Sequence, residues 1–95
     1  METEAQSSAS DVAVVIVHFG AQDVTHRALE SVRKLKPAPG KVFVVNNGPG
    51  SWRSEGPGSD VEILDRADNS GYAGAVNAGA RAAASAGFQF VWILN

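Results

Sequence analysis

The chain is short, weakly acidic and free of cysteine, and these properties exclude several classes of protein. Its 95 residues are 44% hydrophobic, which is enough for one small hydrophobic core. A formal net charge of -2 provides no general attraction to nucleic acid or to an anionic membrane surface, so we expect no nucleic-acid partner. The absence of cysteine excludes disulfides, thiolate metal sites and a cysteine nucleophile, and it is typical of a reducing cytoplasm.

The N-terminal stretch METEAQSSAS is polar and carries acidic but no basic side chains. It therefore differs from a secretory signal peptide, which begins with positive charge. We predict a disordered tail over residues 1–10 and a single domain over residues 11–95. The longest apolar run, residues 12–17, is far shorter than the roughly 20 residues that a membrane-spanning helix needs.

The first half of the domain has the pattern of strand, helix, strand. Residues 12–17 form a continuous apolar run rich in β-branched residues, typical of a strand buried on both faces of a parallel sheet. From Asp23 the apolar residues recur every three or four positions, which predicts a helix that ends before Pro37. The expected buried face of this helix consists of Val24, Ala28, Val32 and Leu35. Residues 42–45 predict the second strand.

The second half follows a long loop, residues 46–60, whose many glycines and prolines exclude regular structure. A short strand over residues 61–64 precedes a helix over residues 71–86. Ser70 is the expected N-cap of this helix, and Gly87 is the expected C′ residue that ends it. Residues 88–94 predict a fourth strand, with Trp92 in the core. The order of elements predicts an α/β fold with a mainly parallel four-stranded sheet.

Ligands of such sheets bind outside the carboxyl ends of the strands, and polar residues collect there in this chain. Neither a complete G-x-G-x-x-G fingerprint nor a P-loop motif follows the first strand, which argues against a dinucleotide or P-loop site. The strand ends instead carry the stretches VIVHFG, VVNNGPGS, DNSGYAGAVNAG and VWILN. In this order and spacing they resemble the N-terminal half of the family-2 glycosyltransferases with the A-type fold, particularly the rhamnosyltransferase-like branch.

The resemblance implies a Rossmann-like three-layer sandwich that binds a nucleotide-sugar donor, and it implies nucleotide contacts for nine residues. His18, Phe19 and Gly20 stand where the first strand of the family contacts the nucleoside. Asn46, with Asn47 beside it, replaces an Asp that in most members hydrogen-bonds to the pyrimidine base. Asn69, Gly71, Tyr72 and Asn77 belong to the segment that approaches the nucleotide. Val76 stands where many relatives carry an Arg, so no cationic phosphate contact is expected from that position.

Several of these residues also have structural interpretations. A histidine that ends a core strand is often structural, and Asn46 and Asn47 are good turn formers. Asn77 is expected on the apolar side of its helix, where it would need hydrogen-bond partners. The acidic residues in the third strand and the adjoining turns are expected to be solvated rather than metal-binding: Asp60, Glu62, Asp65 and Asp68.

Asn95 occupies the first position of the D-x-D or N-x-D metal motif of the family. The resemblance therefore implies Mn²⁺ or Mg²⁺, bound only together with an Asp two positions further on. Inversion in this family requires a general base, an Asp or Glu, and no residue of the chain matches it. We therefore expect a truncated donor-binding half-domain that is inactive alone. Its exposed apolar last strand also predicts self-association.

The implied function is inverting transfer of a sugar, with rhamnose as the candidate, from a UDP- or dTDP-linked donor. The acceptor would be a hydroxyl of a saccharide or a lipid-linked molecule, as in cell-wall or polysaccharide biosynthesis. We expect a cytoplasmic protein, with a peripheral position at the inner face of the membrane as the alternative. Two other functions are consistent with the sequence: a non-catalytic nucleotide-binding or regulatory module, and a nucleotidyltransferase-like enzyme.

Overall fold

The computed structural model describes residues 11–19, 22–47, 60–66 and 71–94. They form four strands and two helices in the predicted order: β1 (Val12–His18), α1 (Gln22–Arg33), β2 (Lys41–Asn46), β3 (Val61–Asp65), α2 (Tyr72–Ser85) and β4 (Phe90–Leu94). The predicted tail, residues 1–10, lies outside the described residues. Neither helix of the described chain has the length and apolar character needed to cross a membrane.

The four strands form one sheet in the order β3-β2-β1-β4, and every neighbouring pair is parallel. The prediction of a mainly parallel α/β sheet is therefore confirmed. The chain moves from β1 to β2 and β3 on one side, and then crosses to β4 on the other side of β1. This reversal next to β1 is a topological switch point, the place where ligands of open α/β sheets bind.

The helices cover opposite faces of the sheet and produce three layers. On one face, Leu29 and Val32 of α1 pack against Val14, Ile16 and other apolar strand residues. On the other face, Ala75 and Ala83 of α2 pack against a second set, which consists of Ala13, Val15, Phe43 and Val45. Successive residues of a strand point to opposite faces, so the continuous apolar runs supply both cores at once.

The buried face of α1 differs from the predicted one. Val24 and Leu35 are exposed, whereas Thr25 and Leu29 are buried. Leu35 lies beyond the helix, which ends at Arg33. The buried residues Thr25, Leu29 and Val32 follow the four- and three-residue spacing of one helical face. The predicted set identified Val32 correctly, but its first member lies one position too early.

α2 begins at Tyr72, and its N-cap is Gly71 rather than the predicted Ser70. Gly71 has a φ of 94°, a conformation that glycine adopts without the steric cost paid by other residues. The predicted C′ role of Gly87 is confirmed by its φ of 93°. Its N–H donates to the carbonyl oxygen of Ala84, and the N–H of Phe88 donates to that of Ala83, which is the hydrogen-bond pattern of a Schellman motif.

β4 is an edge strand in the described sheet, paired only with β1. The prediction of a buried Trp92 is wrong, because 44% of this residue is exposed, and Phe90 and Val91 beside it are exposed as well. The strand also begins at Phe90 rather than at Phe88. Phe88 precedes the strand and packs edge-on against Phe43, with 6.3 Å between the ring centroids.

Candidate functional site

Three polar residues stand side by side where neighbouring strands end. His18 closes β1, Asn46 closes β2 and Asp65 closes β3. The sheet register pairs His18 with Asn46, and Asn46 with Asp65. All three belong to the alternating set that faces α1, since Ile16, two positions before His18, packs in the α1 core. The predicted meeting of polar residues at the carboxyl edge is therefore observed for these strands.

His18 is buried, with 1% of its surface exposed. Its Nδ1 lies 2.5 Å from the hydroxyl oxygen of Thr25 on α1, a contact that was not predicted from the sequence. Burial lowers the pKa of His18 from its ordinary value, and repulsion by His26 lowers it further, so the imidazole is neutral at pH 7. Its Nε2 is also buried and has no hydrogen-bond partner within the described ranges. His18 thus has a structural role through Nδ1, while its buried Nε2 has no partner among the described residues.

Asn46 is almost completely buried, and its side chain binds Asp65. The amide nitrogen Nδ2 donates to Oδ1 of Asp65 at 2.7 Å. The main chains are joined as well, because the N–H of Arg66 donates to the carbonyl oxygen of Asn46 at 3.3 Å. Asp65 is exposed, as expected of a solvated acid, but its hydrogen bond with Asn46 was not predicted. The sequence signal that would have found the pair is that both residues end neighbouring parallel strands.

Asp60 and Glu62 behave as exposed surface residues, and Asp68 lies outside the described residues. Asp60 forms an ion pair with Arg33 at 3.3 Å, and Glu62 forms one with Lys41 at 2.9 Å. Both carboxylates are about half exposed, so each pair contributes little to stability. These two acids fit the expectation of solvated residues, and they lie away from the carboxyl edge.

Asn47 follows β2 and is buried, with 2% of its surface exposed. Its backbone N–H donates to the carbonyl oxygen of His18 at 3.0 Å, which ties the two strand ends together. The side-chain Oδ1 is buried and has no hydrogen-bond partner in the part of the chain that the structure describes. Asn47 therefore combines a backbone structural role with an acceptor oxygen at the strand ends.

Arg66 brings a positive charge to the start of α2. Its Nη1 donates to the carbonyl oxygen of Gly74 in the first turn, at 3.0 Å. The first N–H groups of any α-helix have no partner inside the helix, and no side chain caps those of α2. No role was predicted for Arg66, which precedes the helix in sequence and contacts it only in the folded chain.

The remaining predicted site residues have varied positions. Phe19, just beyond β1, is 67% exposed, Tyr72 is half exposed as the first residue of α2, and Gly71 is exposed. Asn77 is exposed on α2, so the expectation that it is buried is wrong. It lies two positions after the buried Ala75, which turns it by about 200° around the helix. Gly20, Asn69 and Asn95 lie outside the described residues.

The described residues do not form a metal site. Among them no group of three His, Asp or Glu side chains is arranged to hold a metal ion. The strand ends offer a neutral imidazole, two amides and one carboxylate that is already bonded to Asn46. Such a donor set is poor in the carboxylate oxygens that Mg²⁺ and Mn²⁺ prefer. The expected metal ligand, Asn95, is not among the described residues.

Residues 13–95 match the model of glycosyl transferase family 2. No curated protein and no solved structure matches the chain significantly. The matched range includes β1 from Ala13 onward, the other five elements in full and all described residues of the strand ends. The all-parallel sheet, its strand order and its two helices are consistent with the N-terminal half of the A-type fold.

Proposed function

Because the chain belongs to glycosyl transferase family 2, we propose that its carboxyl edge binds a nucleoside-diphosphate sugar linked to UDP or dTDP. Family membership implies transfer of a sugar from a nucleotide-sugar donor to an acceptor, and the family generally uses a divalent metal.

The observation that carries the proposal is a pair of buried polar atoms at the ends of β1 and β2. Nε2 of His18 and Oδ1 of Asn47 have no hydrogen-bond partner among the described residues. A buried polar atom without a partner costs about 1–3 kcal/mol, so such atoms are usually satisfied by a ligand, water or another group. The hydroxyls and base edges of a nucleoside offer both donors and acceptors, and a neutral imidazole with an amide oxygen suits them.

The same strand ends support separate places for the base and the diphosphate. We assign the pyrimidine base to Asn46, with Phe19 beside it. The diphosphate is assigned to the first turn of α2, from Gly71 onward, where the positive end of the helix dipole favours an anion. Arg66, which is bonded to the carbonyl oxygen of Gly74, supplies the cation that is missing at Val76.

The finer features of the reaction also belong to the proposal. We propose inversion at the sugar carbon, with a general base and an acceptor site that lie outside the residues assigned above. Rhamnose is the first sugar to test, because the sequence resembles the rhamnosyltransferase-like branch. We assign any Mn²⁺ or Mg²⁺ to Asn95 together with a carboxylate from outside the described residues, and no step derived for this chain depends on it. The location we propose is the cytoplasm, at the inner membrane face when the acceptor is lipid-linked.

Titration calorimetry with UDP and dTDP, each with and without Mn²⁺ or Mg²⁺, tests the donor site. We expect saturable binding of at least one of them to a sample whose circular dichroism shows folded α/β structure. Asn47→Ala should weaken this binding by about tenfold, because it removes one of the two available buried atoms. Glu62 lies near the start of β3, away from the carboxyl edge, so Glu62→Gln should leave nucleotide binding unchanged. A folded sample that binds neither nucleotide would contradict the proposal.

Sugar transfer is tested separately with radiolabelled dTDP-rhamnose and UDP-sugars. We expect the 95-residue chain alone to release no more sugar than buffer does, because no described residue is assigned to the general base. If the chain alone releases or transfers sugar, and His18→Ala or Asn47→Ala abolishes this activity, the prediction that the chain is inactive alone is wrong.

A further inference from the structure

We infer that Asp65 determines the base preference of the donor site by locking the side-chain amide of Asn46. The inference rests on the proposed function, because it assumes that a nucleotide base contacts Asn46. Its basis in the structure is the 2.7 Å hydrogen bond from Nδ2 of Asn46 to Oδ1 of Asp65, between the ends of β2 and β3.

A side-chain amide can recognise a base in either of two orientations. It carries an acceptor oxygen on one side and a donor NH₂ group on the other, and a rotation of 180° exchanges them. In one orientation it pairs with a base edge that presents N–H beside C=O, as in uracil and thymine. In the other it pairs with the reverse pattern of cytosine. An unrestrained Asn is therefore a poor discriminator between these bases.

Asp65 removes this ambiguity, because an ionised carboxylate only accepts hydrogen bonds. The side of Asn46 that faces Asp65 must be the NH₂ group, and the carbonyl oxygen must point away from Asp65. Asn46 is 4% exposed, so its side chain has little room to rotate. The amide oxygen of Asn46 has two lone pairs, and its nitrogen has a second hydrogen. A contact between this amide and a base is therefore compatible with further hydrogen bonds of Asn46 and Asp65 to other groups.

The locked amide presents its oxygen to the base. Uracil and thymine place the N3–H donor at the middle of their pairing edge, which matches this oxygen. Cytosine has a lone pair at N3, so the same contact would place two acceptors against each other. The pair Asn46 and Asp65 should thus favour UDP and dTDP over CDP.

The inference also accounts for the departure of this chain from most family members at position 46. An Asp there would put two carboxylates within hydrogen-bond distance, since Asp65 already occupies the neighbouring strand end. Two carboxylates at that distance cannot both be ionised without a large cost. This chain instead pairs one amide on β2 with one carboxylate on β3.

The first experiment measures the affinities of UDP and CDP by titration calorimetry. The unaltered chain should prefer UDP, and Asp65→Ala should lower the ratio of the two affinities by about tenfold, because the amide regains its rotation. Glu62→Gln is the matched control, since it removes the other carboxylate of β3, whose partner is Lys41. It should leave the ratio unchanged. Circular dichroism establishes that each variant is folded.

The second experiment exchanges the two side chains. Asn46→Asp should weaken UDP binding by about tenfold or more, because it sets two carboxylates against each other. The double variant Asn46→Asp with Asp65→Asn should recover most of the binding, since it again contains one carboxylate and one amide. Recovery in the double variant also excludes misfolding as the cause of the loss.

The outcomes separate this inference from the proposed function. A folded chain that binds neither UDP nor CDP contradicts both. A chain that binds UDP but does not prefer it over CDP, or whose preference survives in Asp65→Ala, contradicts the role of Asp65 and leaves the donor site intact. Failure of the double variant to recover, with a folded sample, also contradicts the role of Asp65.

Discussion

Gly79 of α2 lies directly over Val15 of β1, so closely that a Cβ atom at position 79 would be 2.5 Å from Cγ1 of Val15. Val15 is fully buried on an internal strand, and its branched side chain has little freedom to move. The small-residue composition of α2 therefore has a packing cause at this position. It lets the helix approach the sheet beside the candidate site, which begins at the first turn of the same helix.

Gly79→Ala should reduce the free energy of unfolding by about 1–3 kcal/mol, because overpacking forces the helix or Val15 to shift. Helix propensity alone would favour Ala by about 1 kcal/mol, so the sign of the change separates the two effects. Urea denaturation followed by circular dichroism measures it.

Two further variants serve as controls for Gly79→Ala. Asn77→Ala on the exposed face of α2 should be neutral or slightly stabilising. Val15→Ala combined with Gly79→Ala should be less destabilising than the sum of the single changes, because each residue occupies the space of the other. A stabilising Gly79→Ala would show that the close approach is wrong.

The pH dependence of stability should contain a contribution from His18. Its pKa is lowered from 6.5 by burial first and by repulsion from His26 second. Between the lowered pKa and 6.5 the unfolded chain therefore binds more protons than the native chain. Stability should fall as the pH drops below about 6.5 and be insensitive to this group above it.

Unfolding free energies at pH 7.5 and pH 5.5 measure this contribution. Each pH unit by which the pKa of His18 is lowered corresponds to about 1.4 kcal/mol in the free energy of unfolding, once the group is fully titrated. His18→Gln should make the difference between the two pH values smaller, whereas His26→Gln should remove only the secondary part. An unchanged difference in His18→Gln would rule out His18 as the source.

Arg66→Gln should weaken binding of UDP by roughly ten- to a hundredfold, which corresponds to about 1.5–3 kcal/mol for a charged hydrogen bond. Binding of uridine, which has no phosphate, should change little. Arg81→Gln is the matched control, because Arg81 is an exposed arginine further along α2. Equal losses for UDP and uridine would indicate that Arg66 acts through the fold rather than through the diphosphate.

β4 should mediate self-association of the isolated chain, as expected from its apolar sequence. It is an edge strand within the described sheet, and Phe90, Val91 and Trp92 are exposed on it. Unpaired strand edges with apolar side chains are prone to pair with another chain, and a lysine side chain on the edge strand suppresses such pairing. Light scattering coupled to size-exclusion chromatography should show association that Trp92→Lys reduces.

Leu35→Lys is the control for the β4 prediction. It removes another exposed apolar residue, one that lies after α1 and not on the sheet edge. It should leave the association unchanged. A single monomeric species of the unaltered chain across the micromolar range would contradict the prediction.

The candidate site could be predicted from the sequence only in part. His18 and Asn46 were identified because each ends a strongly apolar strand, and the register brings them together as expected. Asp65 and Arg66 were overlooked in their present roles, because acids and bases near a loop are usually solvated. Their partners, Asn46 and Gly74, are respectively 19 and 8 positions away. No local pattern encodes such contacts.

The sequence by itself determined the order of the elements, the parallel sheet and the C-terminal end of α2. These features depend on local periodicity, β-branched runs and the conformational freedom of Gly87, which act over a few neighbouring residues. Only the tertiary structure decided that Asn46 binds Asp65, that Gly79 meets Val15 and that Trp92 is exposed. Those relationships depend on which strands become neighbours and in what register, and this is determined by packing the whole sheet between its two helices.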